Sequence, residues 1–144
     1  MIIWLASDHA GFYLKNIIID HLKGKEYEII DYGCFSDESC DYPDYAHILG
    51  NSIDSGEIST GIVFCGSGNG INMTVNKHSR VRSALCWNVD IAFLARHHND
   101  ANVCSLPSRF VSNELAVKIV DTFLSETFDG GRHLNRIEKI ALWL

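Results

Sequence analysis

Residues able to do chemistry concentrate in one stretch, Gly61-Ile62-Val63-Phe64-Cys65-Gly66-Ser67-Gly68-Asn69-Gly70-Ile71-Asn72-Met73. The short apolar run Ile62 to Phe64 reads as a fully buried strand. A cysteine ends it, and three glycines, Gly66, Gly68 and Gly70, follow within five residues. The apolar pattern then resumes with Asn72, Thr74 and Asn76 interleaved, which predicts strand, tight loop, helix. A helix that starts from such a loop leaves backbone N–H groups unpaired, and these form a site for negative charge. A thiol at the strand end lies in the same field, which predicts a lowered pKa and a larger thiolate fraction. The stretch thus offers a base or nucleophile beside an anion cradle. Read the other way, Cys65 is a small buried hydrophobe at a turn common in α/β proteins. Spacing excludes two nucleotide cradles. The dinucleotide fingerprint fails at its third glycine, and the NTPase loop needs Gly-Lys where the chain has Gly70-Ile71.

Three other groups carry polar chemistry. Asp8-His9 reads as a polar pair at a site mouth, or as a helix cap with an exposed histidine. Arg96-His97-His98-Asn99-Asp100 offers a proton shuttle near neutral pH, or a solvated helix end that suits the negative dipole. Neighbouring helical positions point about 100° apart, which argues against a metal held by the two histidines. Arg132 and Arg136 share a helix face and suit a phosphate dianion, or form an exposed basic stripe.

The elements that must position these groups alternate. Strands are predicted at Ile2–Ala6, Tyr27–Asp31, Ile62–Phe64, Arg82–Cys86 and Ala101–Cys104. Helices are predicted from Leu14 to Lys23, from Pro43 to about Asp54, after the glycine loop, after an Asn88 cap, after a Ser112 cap, and from Arg132 to the chain end. That alternation implies a parallel sheet covered on both faces. Ligands of such sheets bind beyond the carboxyl ends of the strands. Asp8-His9 and the Cys65–Gly70 stretch meet that condition. The Arg96–Asp100 segment precedes a strand and belongs at the opposite edge, so a catalytic role there implies service to a neighbouring subunit. The greasy end Ile140-Ala141-Leu142-Trp143-Leu144 is expected to dock on the body or on a partner.

The chain has 144 residues, enough for one domain, 1–144, with a full core. A net charge of -6 argues against a nucleic-acid partner. No run approaches the ~18 apolar residues of a membrane span. The N-terminus lacks a basic region, so no signal peptide is read and a cytoplasmic setting is expected. Five cysteines without a C-x-x-C indicate neither a disulfide framework nor a zinc site, and all but Cys65 read as structural or incidental.

These motifs resemble, over nearly the whole chain, the ribose-5-phosphate isomerase B family and the related galactose-6-phosphate isomerase subunits. The matching pieces are Ser7-Asp8-His9-Ala10-Gly11-Phe12, Asp41-Tyr42-Pro43, Cys65-Gly66-Ser67-Gly68-Asn69-Gly70, Asn76-Lys77, Arg96-His97-His98-Asn99-Asp100, Ser108-Arg109, and Gly130-Gly131-Arg132-His133 with Arg136. The resemblance implies a Rossmann-like three-layer α/β/α fold with a five-stranded parallel sheet and an extra C-terminal helix. It implies aldose–ketose isomerisation of a phosphorylated sugar with no cofactor and no metal, in a homodimer or dimer of dimers whose sites lie between subunits. It makes Cys65 the base, Ser67 in its loop a further catalytic residue, and the backbone from Gly66 through Gly68, Asn69 and Gly70 an anion hole. His98 becomes the ring-opening residue with Asn99 beside it. Asp8, His9 and Tyr42 become substrate contacts, and Arg109, Arg132 and Arg136 hold chiefly the phosphate. Ser67 stands where many members have Thr, which keeps the hydroxyl. Some members lack the cysteine and use a Glu after the loop; here Ile71-Asn72-Met73 carries no carboxylate. The His-Asn-Asp order favours His98 over His97 as the residue facing the site. Ribose 5-phosphate is the expected substrate. A 6-phosphohexose, or non-catalytic binding of a sugar phosphate, are the alternatives.

Overall fold

The computed structural model describes residues 1–141. Five parallel strands, β1 (Ile2–Ser7), β2 (Glu28–Asp31), β3 (Gly61–Cys65), β4 (Ser83–Leu85) and β5 (Val103–Pro107), form one sheet in the order β2-β1-β3-β5-β4. The helices are α1 (Phe12–Lys23), α2 (Tyr42–Asp54), α3 (Asn69–Val75), α4 (Val89–His97), α5 (Asn113–Ser125) and α6 (Arg132–Ile137). This is the parallel sheet that the alternation implies, in the Rossmann-like α/β form that the resemblance implies.

Successive side chains of a strand point to opposite faces, so each strand feeds two cores. Ile3, Leu5, Ile62 and Phe64 pack with Leu14, Ile18 and Leu22 of α1, Ala92 and Ala95 of α4, and Ile119 and Phe123 of α5. Trp4, Ala6, Val63 and Cys65 pack with Leu49 and Ile53 of α2 and with Ile71 and Val75 of α3. The Cys65 side chain therefore lies on the α2–α3 side. Asn88 and Ser112 cap α4 and α5 as expected, accepting from the Ile91 and Leu115 amides. No helix among the described residues is long and apolar enough to cross a membrane.

Three expectations need correction. β5 starts and ends later than Ala101–Cys104, because it is registered on β3 from Gly61↔Val103 to Cys65↔Pro107. Ser105 looks like a strand end in sequence, yet it is fully buried and its hydroxyl donates to Gly68 O at 2.8 Å. β4 is trimmed to three residues. The last helix stops at Ile137 with Glu138 as its cap, well short of the chain end. The expected docking of the tail falls partly on residues 142–144, which lie outside the described residues; Ile140 is exposed.

Candidate functional site

Two clusters stand at opposite edges of the sheet. At the carboxyl edge, β1 pairs with β3 so that Ser7 lies beside Phe64. Asp8 follows directly, its amide donating to Phe64 O at 3.2 Å, and comes alongside Cys65. Asp8 is 6 % exposed, and its Oδ1 accepts from the Gly11 amide at 3.0 Å. Asp8 therefore caps the turn, as one reading had it, while His9 is part-buried rather than exposed. That turn presses on the strand, since a Cβ on Gly11 would meet Phe64 Cβ at 2.5 Å.

The loop after Cys65 turns on Gly68, whose φ of 73° lies in the left-handed region that glycine adopts freely. Ser67 is exposed and its hydroxyl accepts from the Asn69 amide at 3.3 Å, which leaves its proton available to a ligand. Ser105 fixes the loop from below through Gly68 O. After β5, the Ser108 and Arg109 amides donate to Cys65 O and Gly66 O, each at 3.0 Å. The Arg109 side chain lies over Gly66, where a Cβ would meet its Nη1 at 3.3 Å. Tyr42, at the start of α2, lies over Gly70; a Cβ there would stand 2.5 Å from the ring. His9 turns its Nδ1 to the Cys40 backbone at 3.2 Å. The structure thus brings Asp8, His9, Tyr42, Cys65, Gly66, Ser67, Gly68, Asn69, Gly70 and Arg109 to one mouth.

The electrostatics of Cys65 reverse the sequence expectation. Burial pushes the thiol up, and the negative charge of Asp8 adds to it; the Ile71, Gly68 and Gly70 amides pull down but do not prevail. The amides do face the sulfur, but the thiol is only 4 % exposed.

At the amino edge, Asn102 just before β5 accepts from the Gly61 amide at 3.0 Å. The segment that precedes it is therefore near the start of β3, while Cys65 is at its end. His97 Nδ1 lies 2.9 Å from Glu126 Oε1, and the ring stacks on Phe93 at 4.8 Å. His98 instead stacks face to face on His133, with centroids 4.1 Å apart and planes at 14°. His133 is buried on α6, and burial together with His98, Arg132 and Arg136 holds its imidazole below the ordinary value. Arg132 and Arg136, both exposed on α6, act on this imidazole, which stacks on His98. Asn99 is exposed beside them, its backbone oxygen accepting from Arg82 Nε at 3.2 Å. A cavity of about 410 Å³ opens at this edge between Asn76–Arg82 and Ile137, Ile140 and Ala141. It contains no residue of the glycine loop.

Sequence reasoning missed two positioning residues. Lys15 is fully buried, with Nζ 2.6 Å from Asp31 Oδ1 and 2.7 Å from Cys34 O. It ties α1 to the loop that leads to Tyr42. The available signal was a lysine inside the inward stripe Leu14, Ile18, Ile19 and Leu22. His133 was visible only as part of a motif. Among the described residues no cluster of His, Cys, Asp or Glu has metal-site geometry.

The parallel sheet in the order β2-β1-β3-β5-β4, with a glycine loop at its carboxyl edge, is that of a Rossmann-like α/β protein. The family model for ribose/galactose isomerase matches residues 3–140, and the chain belongs to that family. Ribose-5-phosphate isomerase B of Escherichia coli is 44 % identical over 134 residues, covering 93 % of this chain and 90 % of that protein. A crystal structure of a ribose 5-phosphate isomerase from Thermotoga maritima superposes with a TM-score of 0.94 at 51 % identity and 97 % coverage of both chains. The ribose-5-phosphate isomerase B of Mycoplasma genitalium, solved with bound ribulose-5-phosphate, gives 0.92 at 44 % identity, covering 96 % of this chain and 93 % of that one.

Proposed function

We propose that the chain interconverts D-ribose 5-phosphate and D-ribulose 5-phosphate through an enediolate. The observation that carries this reading is the Cys65 thiol, set against the amides of the glycine loop, in a chain whose relatives bear that activity in their names. Cys65 acts as a thiolate that takes the proton from C2 and returns it to C1. The oxygen that becomes negative falls to the Gly66–Gly70 amides, which need little reorganisation to hold it. Asp8, His9 and Tyr42 hold the sugar. The phosphate goes to Arg109, Arg132 and Arg136, an anchor remote from the reacting carbons.

His98, Asn99, Arg132 and Arg136 sit at the wrong edge to serve their own Cys65. A second copy of the chain supplies them, with His98 opening the sugar ring, in a homodimer or a dimer of such dimers. The Glu126 contact of His97 and the stacking of His98 on His133 support His98 rather than His97 in that role. On this reading the enzyme works in the cytoplasm.

The family description covers ribose and galactose alike, which keeps a 6-phosphohexose as the second reading. Turnover of ribose 5-phosphate, allose 6-phosphate and galactose 6-phosphate without added metal separates them. The expected result is preference for the pentose, lost in Cys65→Ala while binding of a phosphorylated sugar acid is kept. Preference for a hexose reassigns the substrate, and an active Cys65→Ala moves the base elsewhere.

A further inference from the structure

The chain carries two further cysteine pairs, and they differ in access. Cys86 and Cys104 touch, but both are fully buried in the sheet core, where no oxidant reaches. Cys34 and Cys40 flank the loop after β2. The Cys34 amide donates to Ser7 O at 2.8 Å, and its Sγ lies 3.7 Å from Ser7 Oγ. Two residues on, His9 Nδ1 lies 3.2 Å from both the backbone N and O of Cys40. One turn, Ser7 to His9, therefore pins both cysteines. The two thiols are near enough to influence each other and Tyr45, while Cys34 Sγ donates to Ser36 O at 3.2 Å. Cys34 is buried, while Cys40 keeps a partly exposed side.

We propose that Cys34 and Cys40 are an oxidative modification site, closing to a reversible disulfide that acts on substrate binding through His9. The oxidant is a peroxide. The Cys40 thiolate attacks one peroxide oxygen, the O–O bond breaks, and the leaving hydroxide takes up a proton to become water. The Cys34 thiol then gives up its proton, its sulfur attacks the Cys40 sulfenic sulfur, and the S–O bond breaks to release a second water. The two cysteines lose two electrons and the peroxide gains them. A dithiol reductant reverses the change. Burial and Cys34 push the Cys40 thiol up, Asp8 adds to this, and the His9 contact opposes it. The reaction is therefore slow near neutrality and quickens toward alkaline pH.

A disulfide bond of about 2.05 Å is shorter than any contact between two thiols, so closure draws Cys40 toward Cys34. The Cys40 backbone carries the His9 contact, and Tyr42 follows two residues later. Displacement of a substrate-positioning group by about 1 Å costs up to about 100-fold in efficiency. The disulfide itself does not depend on the proposed activity; its effect on turnover rests on His9 as a substrate contact.

The test treats the full-length protein with hydrogen peroxide, first confirming that the reduced form turns over ribose 5-phosphate. Intact-mass and peptide analysis should show loss of two hydrogens and a Cys34–Cys40 cross-link. KM should rise about 10- to 100-fold and return with dithiothreitol. Cys40→Ser and Cys34→Ser should keep basal activity and form no cross-link. Wild-type protein that gains only oxygen, at Cys65 or elsewhere, overturns the proposal. So does a cross-link that leaves KM unchanged in protein whose reduced form is active. An inactive reduced protein that still forms the cross-link fails the isomerase reading while the modification site stands.

Discussion

Dividing the proposed site between two copies has a quantitative signature. β3 spans four residue steps from Gly61 to Cys65, about 13 Å at ~3.3 Å each. The His98 segment is tied to the Gly61 end. Proton transfers to adjacent atoms of one sugar require both groups within hydrogen-bond reach, which one copy cannot provide. Cys65→Ala and His98→Asn should each be inactive alone. Mixed in equal amounts and reassociated, half the dimers are hybrids, and each hybrid has one site with both groups and one with neither. Roughly a quarter of wild-type activity should return, for a symmetric dimer that pairs at random. The mirror experiment mixes wild type with the double variant. There every hybrid site lacks one group, so activity falls to roughly a quarter of that of unmixed wild type at equal total chain, against half for sites within one chain. Native mass spectrometry counts the hybrids while a coupled ketose assay reads turnover. Hybrids that form without restoring activity, or a fall only to half, would refute the division.

Three further outcomes follow from the site's construction. Gly68→Ala forces a Cβ to 2.5 Å from Leu85 Cδ1 and 3.0 Å from the Pro107 nitrogen at a φ of 73°, so the left-handed backbone alone costs about 1–2 kcal/mol. Urea unfolding should show that loss, and kcat should fall with the distorted loop; normal values of both contradict the cradle's geometry. Lys15→Met leaves Asp31, 25 % exposed at its side chain, without its cation and should cost about 3–5 kcal/mol in urea. Its KM should also rise as the Gly33–Cys40 loop shifts, and an unchanged urea midpoint would contradict the buried pair. Because burial raises the Cys65 thiol, alkylation by iodoacetamide and kcat/KM should both climb as pH rises above neutral. Native protein holds that proton longer than unfolded chain, so the associated stability is present below the ordinary thiol pKa. It is lost as pH rises through the higher native value. Asp8→Asn should move the alkylation profile to lower pH, and a profile that stays in place removes Asp8 as a cause.

Local signals carried most of this architecture. The Ile62–Phe64 run, the glycine triplet and the Asn88 and Ser112 caps each act within a few residues, and each stands where its spacing indicated. What escaped depends on partners distant in sequence. The limits of β5 come from registration on β3. The contact of His97 with Glu126 joins residues twenty-nine apart. The thiol's direction of shift depends on how deeply Ile71 and Val75 bury it, a quantity that dipole reasoning alone omits. Lys15 reads as a surface residue until Asp31 and Cys34 O are placed around it.

The enclosure of Cys65 also bears on inhibitor chemistry. A thiol 4 % exposed, and pushed toward its protonated form, offers little to an electrophile chosen for reactivity alone. More reactive warheads would spend themselves first on accessible sulfur such as Cys40. On the proposed mechanism, selective compounds would instead win by shape: a planar mimic of the enediolate, seated against the glycine amides, with an anionic tail directed away from the thiol. Potency gained that way should survive replacement of the reactive group by an inert one of equal size.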